Sequence, residues 1–175
     1  MKVNSKFLKG FTLVEVILYV AIVAIFITAM VSFAWDAIYG RVKSFTHQEV
    51  NQNIRLASKR ILFEVRNATG INTPAPSASG STLSLIMADS ARNPTVFSVS
   101  GERLKVGWGS SGPCPTTAPC NLTSNLVSVT SLTFTNLSQS PSENVKFSIT
   151  VESTGDRREM QKSETFEGTG EVRSN

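Results

Sequence analysis

Residues 9 to 35, "KGFTLVEVILYVAIVAIFITAMVSFAW", form an apolar run that carries a single acid, Glu15, near its start. From Val16 to Trp35 there is no charged residue, no glycine and no proline. At 1.5 Å of rise per residue, about twenty such residues cross the roughly 30 Å hydrocarbon layer of a bilayer. In that layer an open segment satisfies its own backbone N–H and C=O groups only as a helix. The run therefore predicts a membrane-spanning helix, and the remainder of the 175 residues has room for one domain.

Charge placement agrees with a membrane segment. Lys2, Lys6 and Lys9 precede the run with no acid among them. Positive charge resists transfer across a membrane, so this leader reads as an orientation signal that stays in the cytoplasm. Beyond the run, Arg and Lys are scattered among Glu and Asp, without the basic stripe that a phosphate backbone requires. The net charge of +4 and pI near 9.3 therefore do not imply a nucleic-acid partner.

Two processing fates compete for the run. A secretory signal has a basic start, an apolar core of roughly 7–15 residues and a small-residue cleavage site, for which Ser32-Phe33-Ala34 would serve. The run is longer than such a core, and it contains Glu15. The other fate is cleavage before the run, between Gly10 and Phe11, where glycine presents no side chain to obstruct a protease.

The string "KGFTLVEVILYVAI" resembles the type III signal of type IV pilins and pseudopilins. It has a short basic leader ending in Gly, then Phe-Thr-Leu-x-Glu opening an apolar helix. The resemblance implies that a membrane-bound prepilin peptidase cuts after Gly10 and methylates the new amino terminus of Phe11. It also implies that Glu15 pairs with the terminal amine of a neighbouring subunit during assembly. A carboxylate in a membrane helix costs a few kcal/mol at the centre and less near the interface, so a compensating charge is expected. The amine of Phe11 would supply one at the same depth. The plainer alternative has Glu15 in the interface, its charge shared with Lys9 or with lipid headgroups.

After Trp35 the apolar residues narrow to a stripe. Ile38, Val42 and Phe45, then Val50, Ile54, Ala57, Ile61 and Val65, recur at helical spacing, with Leu56 and Phe63 extending the face. Lys43, Glu49, Arg55 and Lys59 fill other positions, giving an amphipathic helix with one packing side. "RNATG" supplies the stop, with Gly70 suited to a left-handed end position and Pro74 following. One helix from about Thr12 to Asn67 would be on the order of 80 Å long. Pilin-like proteins share such a helix. Major pilins commonly break its apolar half with a proline, and the absence of one before Pro74 points toward a pseudopilin or minor subunit.

Residues 71–82 read as a Pro/Ser/Gly-rich connection, followed by strand-like runs: "TLSLIM", "TVFSV", "RLKVGW", "LVSVTSLTFT", "VKFSITVE" and a weak last one in "QKSETFEG". Ser100-Gly101-Glu102 reads as a hairpin turn. No helix-length crossover separates the runs, so the strands should pair antiparallel into a sheet covered by the amphipathic stripe. The expectation is an α+β fold: leader 1–10, transmembrane or assembly helix 11–36, amphipathic helix 37–69 and β-rich head 70–175. Parts of the head loosely resemble minor pseudopilins of the J/W-like kind.

Cys114 and Cys120 in "GPCPTTAPC" enclose Pro115 and Pro119, a stiff loop that reads as a disulfide in an exported domain. Free thiols in a cytosolic protein are the alternative. No catalytic signature is visible. His47 is the one histidine and lies in the amphipathic helix, there is no Gly-x-Ser-x-Gly elbow, and no phosphate loop or His-Glu-x-x-His occurs. Glu152, Asp156 and Glu159 could surround a calcium ion, but Arg157 and Arg158 lie between them and favour a plain charged turn. Asn67, Asn121 and Asn136 match the glycosylation acceptor pattern, which is common by chance. No cofactor and no metal are expected.

These readings converge on a structural subunit of a type IV pilus or secretion-type pseudopilus. Its expected partners are prepilin peptidase, other pilin or pseudopilin subunits, the inner-membrane assembly machinery and, before assembly, lipid. It would sit as a single-pass protein of the inner membrane with an extracytoplasmic head. The rival class is an uncleaved membrane anchor bearing a binding or adhesion module, and an enzyme stands third.

Overall fold

A computed structural model describes residues 10–139, 142–155 and 161–173. The chain has an α+β layout and divides into two units, Met1–Val42 and Lys43–Asn175. Helix α1 (Leu13–Asn67) contributes to both, and each unit is taken by itself.

In the first unit α1 starts where a threonine cap lets it start. The Thr12 carbonyl accepts from Glu15 N–H (3.1 Å) and Val16 N–H (3.2 Å), and Thr12 Oγ1 also accepts from Glu15 N–H at 3.3 Å. These contacts satisfy donors that the first turn leaves open. Further along, Thr28 Oγ1 donates to the Ala24 carbonyl (2.8 Å) and Ser32 Oγ to the Thr28 carbonyl (3.1 Å). Hydroxyls that bond back into their own helix present no orphan polar group to an apolar surrounding. Every large apolar side chain from Phe11 to Ile22 is exposed, and none of the helix's most apolar stretch is buried by the chain. This is one helix long and apolar enough to cross a membrane, consistent with a single-pass anchor.

The second unit has a core. Val50, Ile54, Ala57, Ile61 and Val65 on α1 are buried, as their spacing predicts. They share one apolar cluster with residues of two antiparallel sheets. The larger sheet runs β1-β3-β4-β5-β6, using Ala68–Thr73, Leu83–Met87, Thr95–Ser100, Arg103–Trp108 and Cys120–Asn121. The smaller runs β2-β7-β8-β9, using Ser79–Gly80, Val127–Asn136, Asn144–Ser153 and Ser163–Glu171. In β8 the period of two buries Val145, Phe147, Ile149 and Val151. In β7 the alternation slips between Val129 and Leu132. A register shift between Val129 and Ser131 inserts the extra residue, so all four apolar side chains still reach the core.

The hairpin expected at Ser100-Gly101-Glu102 joins β4 to β5. Ser100 pairs with Arg103, and Gly101 and Glu102 both lie at φ 60°, the positive hand that matches strand twist.

Four expectations need correction. The head holds two sheets and not one, because β6, within residues 109–126, takes the free edge of β5, and β7 then pairs with β8 along its length. Helix α1 does end at Asn67, but Gly70 is not a left-handed cap. It lies in β1, paired with Ile86, and the chain passes from helix directly into strand. The supposed connection 71–82 contains the end of β1 and the whole of β2. Finally, Leu56 and Phe63, read as prolonging the face of Ile38 and Phe45 within one broad packing stripe, are 55% and 52% exposed, as are Ile38 (55%) and Phe45 (54%). At 100° per residue these four fall on nearly the opposite side of the helix from the Val50–Ile54–Ala57–Ile61–Val65 line, which is the side the sheets cover.

Candidate functional site

The residues singled out at the amino terminus lie close together. Gly10 is exposed, with nothing within 4 Å of the position its Cβ would take. Phe11 is 81% exposed. Glu15 follows one turn later and lines a surface groove with Phe11, Leu18, Tyr19 and Ile22. Phe11, Glu15, Leu18 and Ile22 repeat at i, i+4, i+7 and i+11, so the acid interrupts an otherwise apolar stripe on one helix face. Its backbone N–H is used in the Thr12 cap. Its carboxylate has no hydrogen bond or ion pair among the described residues. The field of the helix N-terminus favours a negative charge here by about 0.3–1 kcal/mol. Placing a carboxylate deep in hydrocarbon costs more than that. The arrangement is an exposed Gly10-Phe11 junction followed by an acid on an apolar surface with no partner among the described residues. Lys2, Lys6 and Lys9 lie outside the described residues.

Cys114 and Cys120 form a disulfide with Cα atoms 5.3 Å apart. Cys120 sits in β6 opposite Val106, and Trp108 N–H donates to the Cys114 carbonyl at 2.8 Å, so both ends of the loop are tied to β5. The loop folds back further through Thr116, whose N–H and hydroxyl donate to the Gly109 carbonyl at 3.0 and 2.9 Å. Gly109 is required at this point. Its φ is +56°, and a Cβ there would run into the Ala91 carbonyl.

One feature of the head escaped the sequence reading. Glu64 is fully buried and is held by two guanidinium groups. Arg92 Nη2 donates to its two oxygens at 2.5 and 2.6 Å, and Arg60 Nη2 stands 2.8 Å from Oε1. Both guanidiniums also stack on Trp108, at 5.1 Å for Arg60 and 5.9 Å for Arg92. A signal existed: Glu64 follows Ala57 and Ile61 at the stripe's own spacing, so an acid occupies a core position. Arg60 precedes it by one turn.

The other sequence candidates come to less. His47 is half-buried on α1, and among the described residues no group of three or more His, Cys, Asp or Glu is placed to hold a metal ion. Asp156 and Glu159 lie outside the described residues. Of the acceptor-pattern asparagines, Asn136 is buried and donates from Nδ2 to the Pro74 carbonyl at 2.8 Å, which removes it from any modifying enzyme. No family model, no curated protein and no solved structure matches this chain.

Proposed function

We propose that the chain is a pilin-like structural subunit, a minor pilin or pseudopilin, that a prepilin peptidase cuts after Gly10 and that assembles by helix packing into a type IV pilus or a type II secretion-like pseudopilus. The observation that carries this reading is Glu15, an unpaired carboxylate on an apolar helix face, one turn beyond an exposed Gly10-Phe11 junction. Cleavage would free the Phe11 amine, which methylation leaves cationic. A neighbour's Glu15 beside that amine, at about 4 Å and an effective dielectric near 20, gains roughly 4 kcal/mol before desolvation is counted. That term favours adding a subunit over leaving one alone in lipid. The uncharged surface from Val16 to Trp35 suits both states, since lipid tails and neighbouring helices cover it equally well.

In this reading the protein waits in the inner membrane with its head outside the cytoplasm, where the Cys114–Cys120 disulfide is stable. Its partners are the peptidase, sibling subunits and the assembly machinery of that membrane, and its role is structural and not catalytic. The second reading, an uncleaved anchor bearing a binding head, draws on the candidate membrane-spanning helix, which could hold a head at a membrane without cleavage or assembly. Glu15→Leu separates the two. The filament reading expects the variant to insert in the membrane at wild-type level and to be missing from purified filaments. Incorporation of the variant at wild-type level would remove this role from Glu15, and absence of the native chain itself from purified filaments would leave the anchor reading standing.

A further inference from the structure

A cavity of about 300 Å³ opens beside Trp108, lined by Arg60, Ala91, Arg92, Trp108, Pro113 and Cys114. It lies wholly within the second unit and is independent of whether the chain forms filaments. Two cations at its wall share one anion, Glu64, which leaves a surplus of one positive charge. Each guanidinium carries five N–H donors in a planar fork, and Glu64 occupies few of them. Arg60 Nε and Trp108 Nε1 are buried with no hydrogen-bond partner among the described residues. Those two atoms are shielded inside the cluster, but the side chains of Arg60 and Arg92 remain 34% and 33% exposed, so the guanidinium N–H groups that Glu64 does not use can meet an acceptor supplied from outside the chain.

We propose that this cavity binds a carboxylate carried on an apolar or aromatic group. The surplus of one charge suits a monoanion better than a doubly charged phosphate. The planar forks of Arg60 and Arg92 match the two oxygens of a carboxylate. The rest of the wall is Trp108, Ala91, Ser111, Gly112, Pro113 and Cys114, mostly apolar surface that would bury the ligand's apolar body. The volume is at the lower end for small-ligand sites, room for a residue-sized group and not for a large cofactor. The disulfide closes the loop that forms one side of the cavity, and Gly109 lets that loop approach Ala91.

A carboxylate of this kind occurs at a polypeptide's free carboxyl terminus and on an internal acidic side chain beside an apolar residue. Calorimetric titration of the full chain in detergent micelles distinguishes them with three probes. The first is a tripeptide ending in phenylalanine with a free terminal carboxylate. The second is amidated, with an internal glutamate before the phenylalanine. The third is amidated and neutral, and reports partition into detergent. Saturable binding of the first or second probe, with none of the third, is expected and identifies the source. Arg92→Lys keeps a cation facing Glu64 but removes the planar fork, so binding should weaken about tenfold or more; because it also gives up a hydrogen bond to buried Glu64, binding is measured well below the melting temperature of the variant. Ala91→Phe, which fills the cavity without touching a charge, should abolish binding. The proposal is overturned if neither acidic probe saturates, if the neutral probe binds as well as the acids, or if Ala91→Phe binds like the native chain.

Discussion

The first unit of this chain and the second are both rich in apolar side chains, and they treat them in opposite ways. In the first, Phe11 is 81%, Leu13 78% and Phe33 76% exposed. In the second, Val50, Ala57, Ile61 and Phe97 are all 0% exposed. The helix α1 supplies residues to both, so helix formation does not account for the difference. What changes is the width of the apolar surface. A stripe on one side is covered by sheets from the same chain. A helix that is apolar all round cannot be covered by one sheet face and must be completed by lipid or by other helices. One region closes its apolar surface with its own sheets, and the other leaves it open.

That contrast is open to attack through substitutions of like chemistry in the two regions. The largest effect is expected from Phe147→Ala. This ring is 1% exposed and lies 6.5 Å from Phe134 and 6.0 Å from Phe166. Its loss should destabilise the head by about 3–5 kcal/mol in denaturant titration of the full chain. Gly109→Ala comes next, at about 2 kcal/mol or more, because it combines a left-handed φ with a backbone collision at Ala91. Replacing both Cys114 and Cys120 with serine should cost about 2 kcal/mol, the closure entropy of a short loop, and reducing agent should produce the same shift in the native chain. The smallest effect belongs to Phe33→Ala, expected within about 0.5 kcal/mol of the native head's stability. If Phe33→Ala cost as much as Phe147→Ala, the two regions would share a core and the contrast would be false.

Much of this architecture is written in local patterns. The apolar run, the end of α1 at Asn67, the Gly101-Glu102 hairpin and the alternation of β8 each follow from the spacing of neighbouring residues. The number of sheets does not. It depends on β7 pairing with β8 while the short β6 takes the edge of β5. Gly70 shows the same limit in miniature: its type suits a helix cap, yet its place is set by Ile86 across the strand. Among the candidate sites, Gly10, Phe11 and Glu15 are contiguous and therefore visible together. The cluster of Arg60, Glu64, Arg92 and Trp108 is drawn from α1, a 3-10 turn (Ser90–Arg92) and β5, and only the fold brings it into contact. Glu64 in a core position was the one local hint of it.

In the filament reading proposed above, Glu15 meets an amine that exists only after the leader is removed. Intact-mass measurement of the protein drawn from assembled filaments decides this. A chain that begins at Phe11 with one methyl group on its amine is the expected result. A filament subunit that still begins at Met1 would rule the pairing out.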